Sequence, residues 1–133
     1  MRVFLIAAAL LATVTACDSK SSIAEEKAAI ANLVQSSYGG AQMSVEPIVV
    51  RTKYAIADWS NDGGGGRALV SKEHGDWKIV VAAGGDMRDP EFLVRAGVPQ
   101  AEAKALVNFL LTSERKLPET RLAMLDSYKQ IPR

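Results

Sequence analysis

Few residues in this chain of 133 residues have side chains typical of catalysis. The chain has one histidine, His74, and one cysteine, Cys17. Nucleophilic catalysis needs a hydroxyl or thiol beside a base that a third group orients. The sequence contains no Gly-x-Ser-x-Gly elbow to present a serine in that way. A carboxylate pair such as Asp58 with Asp62 stays open, although no pattern singles it out. We therefore predict that the protein is not an enzyme.

A metal site is the next possibility, and its candidate ligands are His74, Asp86 and Met87. His74 lies in a predicted hairpin turn, and the phrase GGDM, which ends in Asp86 and Met87, stands where the predicted sheet gives way to helices. Imidazole nitrogen suits copper, and thioether sulfur favours Cu(I). Met43, Met87 and Met124 are however spread over three predicted elements without a Met-x-x-Met cluster. That distribution is typical of methionines that pack in a core.

The glycine run from Gly63 to Gly66 resembles a phosphate-binding loop in composition, because glycines expose backbone N–H groups. A phosphate loop also needs a following helix and a Lys-Ser/Thr pair. Here Arg67 and a predicted strand follow instead. We predict that residues 61–66 are a flexible connector between two strands.

Composition and charge set further limits. Sixteen basic residues stand against fifteen acidic ones, and loss of Arg2 with the signal described below leaves fifteen of each. Nucleic-acid binding needs a concentrated basic face, so we predict no nucleic-acid partner. Hydrophobic residues make up 48% of the chain and charged residues 23%. These values are typical of a globular protein, and the length suits one domain.

The amino end has the pattern of an export signal. Arg2 precedes a twelve-residue apolar run, VFLIAAALLATV, which is shorter than the roughly 20 residues that a membrane-spanning helix needs. The run ends in Val-Thr-Ala followed by Cys17, and this resembles the lipobox of bacterial lipoproteins, in which the cysteine is lipidated and becomes the amino terminus. We predict a signal peptide over residues 1–16, then lipidated Cys17 and a polar tether over 17–22. The protein would face the periplasm, anchored to the inner or the outer membrane.

Residues 23–133 are predicted to form a single α+β domain that begins with a helix. Apolar residues recur at three- and four-residue spacings from Ile23 to Tyr38, and Ser22 with Glu25 forms a capping box. Four short runs rich in β-branched and aromatic residues follow, over residues 45–50, 54–60, 67–73 and 77–83. Their short connectors require antiparallel neighbours. The predicted sheet is a four-stranded antiparallel meander.

The last third of the chain changes to a helical period. Asp89-Pro90 marks a helix start, and Gly97 a stop. Pro99 opens a longer helix, in which Leu106, Phe109, Leu110 and Ser113 are predicted to share one side. A further helix is predicted to start at Pro118. We thus expect two to three C-terminal helices packed on the sheet.

Several phrases in order resemble the bacterial copper uptake system-associated protein family. They are YAIADW from Tyr54, GRALV from Gly66, GDWKI from Gly75, GGDM from Gly84, AGVP from Ala96, ERKLP from Glu114 and LDSY from Leu125. The resemblance covers nearly all of the mature domain. It implies a role associated with copper handling, without implying a copper site. The family pattern often has a Cys before the Gly-Asp phrase, where this chain has Ala82 and Ala83.

Two hypotheses about function follow. In the first, the protein is a lipoprotein that serves as an accessory binding protein in copper uptake or handling. It would contact a copper transporter or chaperone, or hold the ion weakly through Asp86, Met87 and His74. In the second, it is a protein-protein interaction or inhibitor-like module that binds no metal. Such a module would dock its partner on the open edge of the sheet or on the helical face.

Overall fold

The computed structural model describes residues 22–39 and 42–128, so the predicted signal peptide, Cys17 and most of the tether lie outside the described part. The elements, in chain order, are α1 (Ile23–Tyr38), β1 (Ser44–Arg51), β2 (Tyr54–Asn61), β3 (Gly64–Glu73), β4 (Asp76–Ala83), a 3₁₀ turn (Gly85–Arg88), α2 (Pro90–Arg95), α3 (Gln100–Glu114) and α4 (Glu119–Asp126). The four strands form one antiparallel sheet in the order β1-β2-β3-β4. The predicted α+β class and meander are confirmed, with three α-helices after the sheet.

The amino end of α1 forms as its sequence predicts. The Ser22 hydroxyl oxygen accepts a hydrogen bond from the Glu25 backbone N–H at 3.2 Å, which satisfies one of the unpaired donors of the first turn. Gly39 follows the last residue of the helix. Ile30 and Val34 are fully buried against the sheet. Helix α1 therefore covers one face of the sheet.

The sheet has helices on both faces, because both sets of alternating side chains in β2 are buried. Ala55, Ala57 and Trp59 pack in the core beneath α1. Ile56 points to the other face and packs in a second core. The second core is completed by residues of α2 and α3, chief among them Leu93, Leu106 and Leu110. The meander is the middle layer of three.

The glycine run lies differently from its prediction. A two-residue turn, Asp62-Gly63, joins β2 to β3, and Asn61 pairs with Gly64 across it. The Asn61 Oδ1 accepts a hydrogen bond from the Gly63 N–H at 2.9 Å, which stabilises the turn, and the residue with a positive φ is Gly64, at 150°. Gly64, Gly65 and Gly66 consequently belong to β3 rather than to a flexible connector.

The buried side of α3 also differs from its prediction. Phe109 is 52% exposed, so it does not share the core-facing side with Leu106 and Leu110. The side chain that continues the buried stripe is Glu114, four residues beyond Leu110. Within the described residues no helix has the length and apolar character needed to cross a membrane.

The chain after α4 passes from one face of the sheet to the other around the amino end of β3, which consists of Gly64, Gly65 and Gly66. The β3–β4 ladder ends at the pair Arg67 and Ala83, so Gly65 and Gly66 project beyond β4. A Cβ on Gly65 would meet the Met124 carbonyl oxygen on the α4 side at 3.3 Å. A Cβ on Gly66, whose direction is opposite, would meet the Tyr128 ring at 2.7 Å. These contacts require the absence of side chains at both positions.

We expect Gly84→Ala to lower the free energy of unfolding by about 1–3 kcal/mol, because the new Cβ would overlap backbone. That Cβ would lie 2.5 Å from the carbonyl oxygen of Asp126, which is not the end of a flexible side chain. Gly85→Ala is the matched control, since its Cβ would come no nearer than 3.8 Å to Asp126. Chemical denaturation of both variants measures the difference. Equal stability of the two variants would contradict the close approach of α4.

Candidate functional site

The structure places two of the predicted metal ligands, His74 and Met87, at opposite ends of β4. His74 is exposed in the His74-Gly75 turn between β3 and β4, where both residues have positive φ. Met87 is fully buried in the core on the α3 side, just beyond the other end of β4. An eight-residue strand spans roughly 25 Å. His74 and Met87 are therefore not brought together around one ion, because metal–ligand bonds are only about 2–2.6 Å long.

The remaining candidate ligands do not assemble around either residue. Asp86 is exposed on the 3₁₀ turn, next to the buried Met87. Met43 lies in the core beneath α1, so the sheet separates its sulfur from that of Met87. Met124 lies on α4 and is partly buried. Across residues 22–39 and 42–128, no group of three or more His, Cys, Asp or Glu side chains is placed to hold a metal ion.

A buried ionic cluster at the junction of the sheet with α3 and α4 was missed by the sequence analysis. Arg67 of β3 is fully buried, and its guanidinium bonds Glu114 of α3 through Nε at 2.6 Å and Nη2 at 3.0 Å. Nη1 donates to the Asp126 carboxylate of α4 at 2.6 Å. Arg88, which is partly exposed, approaches Glu114 at 3.7 Å. One guanidinium thus joins three elements through charge-assisted bonds.

Asp58 completes the cluster as a neutral acid. It is fully buried, pairs with Arg67 in the β2–β3 register, and its Oδ1 lies 3.8 Å from Arg67 Nε, beyond hydrogen-bond distance. Burial, together with a hydrogen bond and charge repulsion from Glu114, raises the pKa of Asp58 to about 9. Neither Asp58 oxygen accepts a hydrogen bond from the residues described, which fits a carboxyl that is protonated.

The pKa of Arg67 is set by opposing effects. Burial acts to lower it, but the hydrogen bonds with Glu114 and Asp126 outweigh burial, and the pKa is raised above its ordinary value. The guanidinium therefore stays charged. Because Asp58 and Glu114 are at most 2% exposed, a substrate has no access to this carboxylate pair. The cluster holds helices on the sheet and is not arranged for general acid-base catalysis.

A surface cleft lies at the amino end of β3, beside its three glycines. We call it the Trp59 cleft; its volume is about 460 Å³, and it is lined by Trp59, Asn61, Gly63, Gly64, Gly65, Ser127 and Tyr128. Tyr38 stacks on the Trp59 ring, with centroids 5.2 Å apart and planes 5° from parallel. Tyr128 meets the same ring edge-on at 5.8 Å. The N–H of the Trp59 indole is buried and has no hydrogen-bond partner among residues 22–39 and 42–128.

The second tryptophan is held in a different way. The Trp77 indole N–H donates to Glu26 of α1, and the same carboxylate pairs with Lys72. The hydrogen bond from Lys72, assisted by that from Trp77, lowers the pKa of Glu26 against the opposing effect of burial. The Trp77 bond therefore links α1 to the sheet, whereas no described residue accepts a bond from the Trp59 N–H.

The fold and these sites define the molecule as an α+β domain with a closed ionic cluster and an open aromatic cleft. No protein-family model, no curated protein and no solved structure matches the chain. The resemblance to the copper uptake system-associated family remains a prediction. Function is therefore argued from the geometry of the domain.

We expect Asp58→Asn to gain stability relative to the native chain as pH rises. Between the unfolded pKa of 3.8 and the folded pKa of about 9, folded Asp58 keeps a proton that the unfolded chain releases, so its contribution to stability falls with increasing pH. Asparagine has a similar shape and does not titrate. The difference in free energy of unfolding should change by up to about 1.4 kcal/mol per pH unit between about pH 5 and about pH 8.

Urea denaturation at several pH values measures this difference. Asp62→Asn is the matched control, because Asp62 is exposed in the Asp62-Gly63 turn and Asn-Gly suits the same turn. A pH-independent difference for Asp58→Asn would mean that folded Asp58 is ionised, contrary to its placement beside Glu114.

Proposed function

We propose that the protein is a periplasm-facing lipoprotein whose domain is a non-catalytic accessory binding protein associated with copper uptake or handling. The amino-end pattern and the family resemblance support the location and the copper association. The observation that carries the binding role is the Trp59 cleft, an open cleft that is lined by the aromatic residues Trp59 and Tyr128 and by no charged residue. Concave, largely apolar sites with a few polar groups are the usual form of a binding site.

The copper association is proposed to run through a protein partner, such as a transporter or a chaperone. The separation of His74 from Met87 along β4 weighs against a shared ion, and the burial of Met87 removes its sulfur from the surface. A module with no metal link at all is the second candidate. Such a module would bind its partner at the same cleft. The two proposals therefore share a binding surface and differ in whether the partner belongs to copper handling.

The edges of the sheet are poorer docking surfaces than the cleft. In β1 the ladder shifts register between Val45 and Ile48, and the Arg121 guanidinium donates to the Glu46 carbonyl oxygen at this bulge. In β4 the pairing shifts so that Val80 has no opposite residue in β3. Bulges of this kind make an edge strand less suited to pairing with a strand from a partner.

The position of the cleft also suits a tethered domain. The proposed lipid anchor at Cys17 precedes Ser22, the residue that caps the amino end of α1. Tyr38, which stacks on Trp59, ends the same helix. A helix of 16 residues is about 24 Å long, so Tyr38 lies that far along the helix from Ser22. We propose that this separation leaves the cleft accessible to a periplasmic partner.

We expect Cys17→Ser to abolish lipidation, because a serine hydroxyl does not replace the thiol that takes the lipid. The native chain, expressed in the bacterium that encodes it, should incorporate a labelled fatty acid and fractionate with membranes. The Cys17→Ser variant should remain unlabelled. Ser19→Ala in the tether is the control and should be labelled as the native chain is. Labelling of the Cys17→Ser variant would refute the anchor.

We expect a lipid-free variant that begins at Asp18 to bind Cu(I) no more tightly than the buffer, because the candidate ligands are dispersed. An anaerobic competition titration, with Ag(I) and Cu(II) in parallel, measures this. Native copper accumulation in cells should nevertheless fall when the chain is deleted, and Cys17→Ser should fail to restore it. One-to-one Cu(I) binding that His74→Ala or Met87→Ala weakened would instead make the protein a direct carrier. Unchanged accumulation after deletion would favour the module with no metal link.

A further inference from the structure

Helix α4 is attached to the sheet by polar side chains towards both of its ends. Near its start, Arg121 Nη1 donates to the Ser60 hydroxyl oxygen at 2.9 Å. At its last residue, the Asp126 carboxylate accepts the bond from Arg67 at 2.6 Å. Leu125 is the buried residue of this fully described helix, and it belongs to neither of the two hydrophobic cores. The attachment of α4 therefore depends on polar bonds more than on a shared apolar core.

Helix α4 has little stability of its own. It has eight residues, and isolated helices shorter than about 12 residues are only marginally stable in water. Pro118 stands at its amino-terminal cap position and gives no side-chain bond to the first turn. Elements with few buried contacts open locally at a lower free energy than the rest of a domain. Once its polar attachments are lost, α4 has no independent reason to stay in place.

Some of the polar groups beneath α4 are unsatisfied. Asp58 lies on the same face of β2 as Ser60, two residues away, and Ser60 bonds Arg121 of α4. Both carboxyl oxygens of Asp58 and the Nε of Arg121 are buried without a hydrogen-bond partner among the described residues. Buried polar groups in this state destabilise the attached form, because water would otherwise bond them. Detachment of α4 would hydrate these groups, which offsets part of the cost of losing its attachments.

We infer that α4, together with Ser127 and Tyr128, is a strap that detaches from the sheet as one unit, and that loss of the Asp58 proton promotes its detachment. The Ser127 N–H bonds the carbonyl oxygens of Ala123 and Met124, so Ser127 moves with the helix. Ser127 and Tyr128 line the Trp59 cleft. Detachment would therefore remove one wall of the cleft. The inference rests on the proposed function in this respect, because it names a means of regulating the proposed binding surface.

The direction of the pH dependence follows from the groups around Asp58. The charged residues of the cluster and of the elements packed on it are Arg67 of β3, Arg88 of the 3₁₀ turn, Glu114 of α3, and Arg121 and Asp126 of α4. In the attached form burial, and after it Glu114, raises the pKa of Asp58 to about 9, whereas hydration returns it towards 3.8. The contribution to attachment is therefore complete below the detached pKa and is lost as pH rises through about 9. Release of one proton shifts the equilibrium towards detachment by up to about tenfold per pH unit.

The test is backbone hydrogen exchange, followed by NMR on the lipid-free variant that begins at Asp18. Rates are expressed as protection factors against an unstructured peptide at the same pH, which removes the pH dependence of the exchange chemistry. We expect the Leu122, Leu125 and Ser127 amides to share one protection factor. It should lie at least about tenfold below that of the Leu110 amide in α3 and fall about three- to tenfold per unit from about pH 6 to about pH 8.

Two patterns of exchange would overturn the strap. Equal protection of α4 and α3 would mean that both exchange only through global unfolding. Protection that declines steadily from Leu122 to Ser127 would mean that the helix frays from its end and does not detach as a unit.

Variants test the role of Asp58 and of the attachment. Asp58→Asn should make the α4 protection factor independent of pH, because asparagine does not titrate, and an unchanged pH dependence would overturn the role of Asp58. Asp62→Asn, in an exposed turn, is the matched control and should keep the native pH dependence. Asp126→Asn weakens the bond to Arg67 at an exposed side chain and should lower α4 protection about three- to tenfold at a single pH. Native protection in Asp126→Asn would contradict the polar attachment.

Failure of the strap and failure of the proposed function give different results, since hydrogen exchange involves neither copper nor a partner. If α4 is as protected as α3 while copper accumulation depends on the chain, the strap is wrong and the accessory role stands. If α4 detaches as expected but accumulation is independent of the chain, the strap stands and the copper association falls.

Discussion

The buried guanidinium of Arg67 is the constraint on which the arrangement of the C-terminal helices depends. Removing a charge from water costs several kcal/mol unless partners and hydrogen bonds compensate for it. Arg67 belongs to β3, and its partners come from two separate helices, Glu114 from α3 and Asp126 from α4. A shift of α3 would remove the two bonds to Glu114 from the buried guanidinium, and a shift of α4 would remove its bond to Asp126. Asp58 is accommodated in the same space because it is neutral, with a pKa raised to about 9 by burial and by Glu114.

The cleft is a consequence of the same ion cluster. The bond from Arg67 to Asp126 draws the end of α4 against Gly84, where the Asp126 carbonyl oxygen leaves no room for a Cβ. From that point the chain turns around the end of β3 and places the Tyr128 ring over Gly66, beside Trp59. The positions of these glycines are therefore explained by close approach of α4 and not by the binding of an anion. The buried ionic cluster on one face of the sheet thus determines the position of the Trp59 cleft on the other face.

Local rules predicted most of the fold, because each helix and turn carries its own signal. The capping box at Ser22 and the helix start at Asp89-Pro90 both gave the observed boundaries. The ion cluster was missed because charged residues in a strand or at a helix end are usually solvated. Asp58 follows the buried Ile56 by two residues in a strand, and Glu114 follows the buried Leu110 by four residues in a helix. These spacings were signals that both acidic side chains face the core. The cleft has no comparable local signal, since its walls come from β2, β3 and the end of α4, which only the tertiary fold brings together.

The two cores hold their polar groups in different ways. The domain satisfies a buried guanidinium with two carboxylates, keeps Asp58 protonated, and gives the Trp77 N–H a carboxylate acceptor. Among the described residues, Arg121 Nε and the Trp59 N–H are buried without a hydrogen-bond partner, as are both oxygens of Asp58. The Tyr38 ring lies flat on the Trp59 indole and holds it in place, so Trp59 forms a rigid wall of the cleft. A rigid wall suits a binding surface, because little conformational entropy is lost when a partner docks.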